Sequence, residues 1–271
     1  MTHSSFNSFQ LFVYSALLRV RPAELGQCIK SILHIERKFI PTSLNAVFWA
    51  DPVSVFGQAL LKDGIYESQM SHLVMSLLRE NDVFVDIGGN EAYFSVLASR
   101  VIKNGRVFCV EPQSRLIPVI EKNLELNRCK NVSVSRVALS AQEGTTELYL
   151  RPNTNTGSSS LFQVSKMSTV KETVPTQTLE KYCLENGIDE IRLMKIDCEG
   201  AEALVIEGGK EIFKQKKVQI LALEYHPQVL SEHQISEINL FLKDCGYRFC
   251  QINDQTVYCL PQYESQIKLL G

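Results

Sequence analysis

Between residues 83 and 227 short apolar runs alternate with amphipathic ones, and this alternation restricts the fold more than any other feature of the chain. The runs "VFVDIG", "RVFCVEP", "VSVSRVAL", "IRLMKIDCEG" and "VQILALEYHP" are apolar at consecutive positions, which suits strands covered on both faces. Between and after them, "AYFSVLASRVI", "LIPVIEKNLELNR", "LEKYCLENG", "AEALVIEGGKEIFKQ" and "ISEINLFLKDCG" carry apolar residues at helical spacing. Strand and helix in alternation predict a parallel, doubly wound α/β sheet, because right-handed crossovers place helices on both faces. "YRFCQIND" and "TVYCLP" read as a closing hairpin that adds an antiparallel strand, and the polar stretch "TTELYLRPNTNTGSSSLF" is an insertion between the third and fourth strands.

The first 65 residues follow no such pattern. "PAELGQCIKSILHIERK" predicts an amphipathic helix, and "LNAVFWADPVSVFGQALL" a hairpin through its Asp-Pro turn, so residues 1–65 are expected to form a cap and residues 66–271 the main domain. The Phe, Leu and Val content of this segment fits either an acceptor-side lid or a homodimer surface. Its run "FQLFVYSALL" lacks a basic flank and is too short to span a bilayer, and eight cysteines without a C-x-x-C pair suit a reducing compartment, so a cytoplasmic, membrane-free protein is expected. A net charge of -2 gives no electrostatic reason to expect nucleic acid as partner.

In a doubly wound sheet, ligands sit at the carboxyl ends of the strands where the strand order reverses. The first strand ends in Asp86-Ile87-Gly88-Gly89-Asn90-Glu91. The second ends in Glu111-Pro112, 25 positions after Asp86, about the length of a strand–helix–strand unit that brings a carboxylate to a ribose diol. Glycines at 88 and 89 let the backbone approach a ligand closely. The turn lacks the G-x-G-x-x-G of pyrophosphate cofactors, which counts against a nicotinamide oxidoreductase. Asp86 and Glu91 would repel a pyrophosphate but suit the ammonium and sulfonium charges of S-adenosylmethionine, the expected cofactor.

The series "GIYESQ", "VFVDIGGNEAYFS", "VFCVEPQ", "VALSAQEGTTELYL", "LMKIDCEGAEALVIEGG" and "ILALEYHP" resembles the FkbM family of S-adenosylmethionine-dependent methyltransferases over roughly residues 60 to 230, most specifically in K-I-D-x-E-G-A-E at Lys195–Glu202. The resemblance implies a class I methyltransferase (Rossmann-like) fold with a mostly parallel seven-stranded sheet, and methylation mainly of oxygens in natural products and sugars. It places Asp86, Gly88 and Asn90 on the cofactor loop, Glu111 on the ribose, and Asp197 and Glu199 beside the transferred methyl. It also favours Tyr66 and Glu67 closing the pocket. Gly89, Glu91, Pro112 and Ala138 complete the expected cofactor contacts. Where the family commonly has Ala and then Gly in G-A-N-x-G, this chain has Gly89 and Ala92, a departure that lends the only support to a non-catalytic binding module.

Methyl transfer requires the protein to orient the acceptor and remove its proton. Asp197, Glu199 and His226 are the candidate catalytic residues, with His226 as general base because an unperturbed imidazole titrates near neutrality. Tyr66, Ser159, Ser160 and Glu224 are the candidate acceptor contacts, with Ser158 beside them, for a small-molecule, sugar or peptide acceptor. Glu202 reads as part of a solvated helical face. Carboxylate and imidazole at Asp197, Glu199, Glu224 and His226 have metal-ligand chemistry, but spread over two strands the spacing is not diagnostic, and no metal is expected.

Overall fold

The structure, a computed structural model, describes residues 6–163 and 170–270; the first five residues of the expected cap lie outside them. The N-terminal segment opens with two helices, Ser8–Arg19 and Ala23–Ile32, followed by a hairpin of β1 (Lys38–Pro41) and β2 (Val47–Ala50) and a helix at Val55–Asp63. The hairpin turn therefore lies at residues 42–46, before the Asp-Pro pair. Asp51 and Pro52 instead lead into the helix: Asp51 Oδ1 accepts from Val53 N, and Ser54 Oγ accepts from Gly57 N as its N-cap. Local capping thus overrides the alternation that suggested a strand.

Five parallel strands follow in the order the sequence predicts: β3 (Val83–Ile87), β4 (Arg106–Val110), β5 (Val132–Ser135) and, after the insertion, β9 (Ile191–Ile196) and β10 (Val218–Leu223). The insertion folds into its own small sheet of β6 (Ala138–Leu139), β7 (Gly144–Tyr149) and β8 (Lys171–Gln177). The closing hairpin, β11 (Arg248–Ile252) and β12 (Gln255–Cys259), docks β12 antiparallel on β10. The main sheet has seven strands in the order β11-β12-β10-β9-β3-β4-β5, a doubly wound sheet whose order reverses between β3 and β9. "AEALVIEGGKEIFKQ" is broken into helices Glu202–Glu207 and Lys210–Lys214 at Gly209, whose backbone leaves the helical region at φ -123°, ψ 13°, while Gly208 packs so close to the Ser140 carbonyl that a Cβ there would stand 2.1 Å from it.

Side chains alternate between two cores along each central strand. Phe84, Val107, Leu193 and Ile220 face one, and Val85, Phe108, Met194 and Leu221 the other. The first core also takes in Ile40, Phe48, Ala50, Phe56 and Leu60, so hairpin and sheet share one interior. Asn123, on the helix Ile117–Leu126, and Asn127, its C-cap, extend that union by accepting from Trp49 N and Val47 N of β2 at 2.7 and 3.0 Å. No described helix is long and apolar enough to cross a membrane.

Candidate active site

The carboxyl ends of β3, β4, β9 and β10 enclose a cavity of ≈ 290 Å³. Gly88, at φ +83°, is required at its floor: a Cβ there would meet the Asp197 carbonyl oxygen at 1.8 Å, so only glycine lets the ends of β3 and β9 close up. Glu111, at the end of β4, lines the cavity while its carboxylate accepts from Asn90 N at 2.8 Å and Gln113 N at 3.0 Å. Burial pushes this carboxyl up to about 7 against the opposing pull of those two N–H groups.

The other end of the cavity is crowded with carboxylates. Glu67, Asp197, Glu199 and Glu224 line it, and the cation among them is Lys195, whose Nζ donates to Asp197 Oδ2 at 2.7 Å. Lys195 is 4% exposed; burial opposes its charge, yet Asp197, Asp86 and Glu67 together hold its pKa above the usual lysine range. Among the described residues Glu67 Oε2 is buried without a hydrogen-bond partner, and burial raises its carboxyl. Burial also pushes both Glu199 and Glu224 up to about 7, with Asp197 adding repulsion and His226 opposing it.

Behind this rim lies His226. Its Nδ1 is 2.9 Å from Glu202 Oε1, and its Nε2 faces Glu199 Oε2 at 3.5 Å and Asp197 Oδ1 at 3.7 Å. Burial works against its protonation, but the Glu202 bond and the charges of Glu202, Glu199 and Asp197 outweigh it and carry the pKa to about 9. Glu202 is wholly buried, and its Oε1 also accepts from Cys198 N and Gly200 N, tying down the loop after β9.

The FkbM methyltransferase domain model matches residues 82–249, more than half of the chain. The chain belongs to the FkbM methyltransferase family. As a member it is an S-adenosylmethionine-dependent methyltransferase. Among curated proteins, 2-O-methyltransferase NoeI of Sinorhizobium fredii is 27% identical over 181 residues, 60% of this chain and 71% of that protein. Methyltransferase sdnD of Sordaria araneosa is 25% identical over 199 residues, 63% of this chain and 75% of its own. A solved precorrin-6y C5,15-methyltransferase from Geobacter metallireducens aligns with TM-score 0.42 at 14% identity, over 71% of this chain and 87% of that one.

Within this FkbM methyltransferase, Tyr66, Glu67, Gly88, Gly89, Asn90, Glu91, Glu111, Pro112, Ala138, Ser158, Ser159, Asp197, Glu199 and Glu224 all border the one cavity. Five expectations need correction. Asp86 does not border it: it lies fully buried under the sheet's end, its Oδ2 accepting from Ser95 Oγ at 2.7 Å, because strand alternation turns it toward the helix Tyr93–Val101. Glu91 borders the cavity but is neutralised by Arg37 of the N-terminal segment, at 2.8 and 3.1 Å, so it offers no free charge to a cationic ligand. Ser160 donates to the Glu199 carbonyl oxygen at 2.6 Å and holds that loop rather than facing the cavity. His226 lies outside the lining, its Nδ1 bonded to buried Glu202 and its pKa raised by the surrounding carboxylates, which argues against a general base; Glu202, its anchor, is not solvated at all.

Sequence reasoning passed over Lys195, Gln113, Gly157 and Arg37. Gln113 follows Glu111 by two positions and was legible as part of the same strand end; Arg37 carried no signal, because its partner lies 54 residues away. Ala92 sits at φ 63°, ψ 29°, the left-handed region, which is the physical reason glycine is common there in the family. The donor set suits the family's cofactor: a carboxylate fixed by two N–H groups at one end, a glycine floor, and a buried unpartnered carboxylate oxygen on Glu67 at the other.

Proposed function

We propose that this methyltransferase transfers its methyl group to an oxygen of a small acceptor, a hydroxyl or carboxyl on a secondary metabolite, sugar or peptide. One observation carries the reading: a single cavity joins Glu111 to a rim where burial raises the Glu199 carboxyl to about 7. When bound, S-adenosylmethionine supplies an electrophilic methyl group on a sulfonium. In this reading Glu111 accepts from the ribose hydroxyls, and the free Oε2 of Glu67 accepts from the ammonium group. Pro112, Val137 and Ala138 cover the base, and Gly88 and Gly89 admit the chain close to the backbone.

Glu199 takes the acceptor's proton, since a base is most effective when its pKa lies near the working pH. His226 is a positioning residue: as an imidazolium bonded to buried Glu202, it holds Glu199 and Asp197 at its Nε2. The 2-O-methyltransferase among the relatives supports an oxygen acceptor. Methyl transfer from labelled S-adenosylmethionine to matched alcohol, carboxylate and amine acceptors tests the reading. Product on oxygen is expected, and transfer to amines alone overturns it.

A further inference from the structure

Resting on that reading of the cavity, we infer that the acceptor carries an oxyanion, a carboxylate or a phosphate or sulfate ester, and that Arg151 and Arg21 bind it. A second cavity of ≈ 250 Å³ adjoins the first, with Val55, Asn155 and Ser158 lining both. Its charged lining residues are Arg21, from the link between the first two helices, and Arg151, from the insertion after β7. Among the described residues nothing acidic lines it, in contrast to the carboxylate rim next door.

Each arginine is presented for a ligand. Among the described residues the Arg151 guanidinium makes no hydrogen bond or ion pair, while its charge reaches Glu199 and offsets part of that carboxyl's rise. Arg21 Nη1 donates to the Leu18 and Val20 carbonyl oxygens, which fixes the side chain's direction and leaves its other donors unused among the described residues. A guanidinium matches carboxylate and phosphate geometry with paired N–H donors, and Thr154 and Ser158 add hydroxyls to the lining. An oxyanion held at Arg151 sets a neighbouring acceptor oxygen beside Glu199. The N-terminal helices thereby gain a purpose that the seven-stranded domain lacks: they supply half of the acceptor's anchoring charge.

The test is binding of glucose 6-phosphate, glucuronate and methyl glucoside to the full chain at low salt, by saturation-transfer NMR and calorimetry, with S-adenosylhomocysteine present. S-adenosylhomocysteine binding itself is measured first, and its absence overturns the reading of the cavity rather than this inference. With it bound, at least one charged sugar is expected to bind about tenfold or more tightly than the neutral one. Arg151→Gln is expected to erase that preference, Arg151→Lys to keep part of it, and Arg21→Gln to reduce it, all with S-adenosylhomocysteine affinity unchanged. Which charged sugar wins separates phosphate from carboxylate. Equal binding of all three sugars, no binding of either charged one, or a preference that survives in Arg151→Gln overturns the inference.

Discussion

The two ends of the main cavity carry buried carboxylates in opposite condition. Glu111 accepts from two backbone N–H groups supplied by its own strand end and the neighbouring loop. Glu67, Asp197, Glu199 and Glu224 share Lys195 and the imidazole of His226, and one oxygen of Glu67 has no partner. Backbone donors are fixed once the strands pair, so the first end is rigid and prepared for one recurring ligand. The second end depends on a balance of side-chain charges gathered from residues 67, 195–199, 224 and 226, so small changes there move protons. In the proposed reading, an end built from backbone donors serves binding and an end built from side-chain charge serves acid–base chemistry.

The largest expected effect breaks the second end alone. Glu199→Gln removes the proposed base and is expected to lower kcat by ~10² to 10⁴ while S-adenosylhomocysteine affinity holds; a kcat near wild type places the base elsewhere on the rim, with Glu224 next to test. Arg37→Ala strikes between the ends, leaving Glu91 charged and 1% exposed without its partner. Loss of such a partner costs about 3–5 kcal/mol, read by denaturant unfolding, whereas Arg37→Met with Glu91→Gln restores most of it. A loss below about 1 kcal/mol would mean that Glu91 reaches solvent or protonates freely.

Glu111→Ala probes the rigid end. Each hydrogen bond to a charged group contributes about 1.5–3 kcal/mol, so the cofactor Kd is expected to rise about tenfold to a hundredfold, with kcat at saturation little changed. The sign of the pH effect follows from the raised carboxyl: as pH falls through about 7, Glu111 gains a proton and loses acceptor capacity, so wild-type affinity weakens toward acid. Glu111→Gln is expected to be flat over that range, and a wild type equally flat would detach Glu111 from the ligand.

His226→Gln sharpens the comparison without deleting a group that faces the cavity. His226 opposes the upward push on Glu199, so its removal is expected to move the acid limb of the pH–rate profile to higher pH. An unmoved limb with a uniformly lower rate would reduce His226 to a packing role. The smallest effect belongs to Ala92→Gly. Relief of a left-handed alanine is worth about 1 kcal/mol at most after the added chain entropy, and a modest rise in Tm is expected; a fall would show that the buried methyl packs usefully.

The sequence alone determined the parallel sheet, the glycine turn and the placement of Glu111 opposite it. Each follows from short-range periodicity, with chain length fixing which strand end meets which, and the K-I-D-C-E-G-A-E segment marked the fourth strand's end by itself. Tertiary structure decided the rest, because protonation and pairing depend on neighbours far apart in the chain. Asp86 looked like a ligand contact until the pleat turned it to Ser95; Glu91 looked like a free charge until Arg37 reached it from the N-terminal segment. His226 read as a base at its ordinary pKa, and only the carboxylates of Glu202, Glu199 and Asp197, outweighing its burial, raise that pKa. No local pattern around His226 encodes the field of three carboxylates delivered by the loop and helix start after β9, and that field sets where the protons sit.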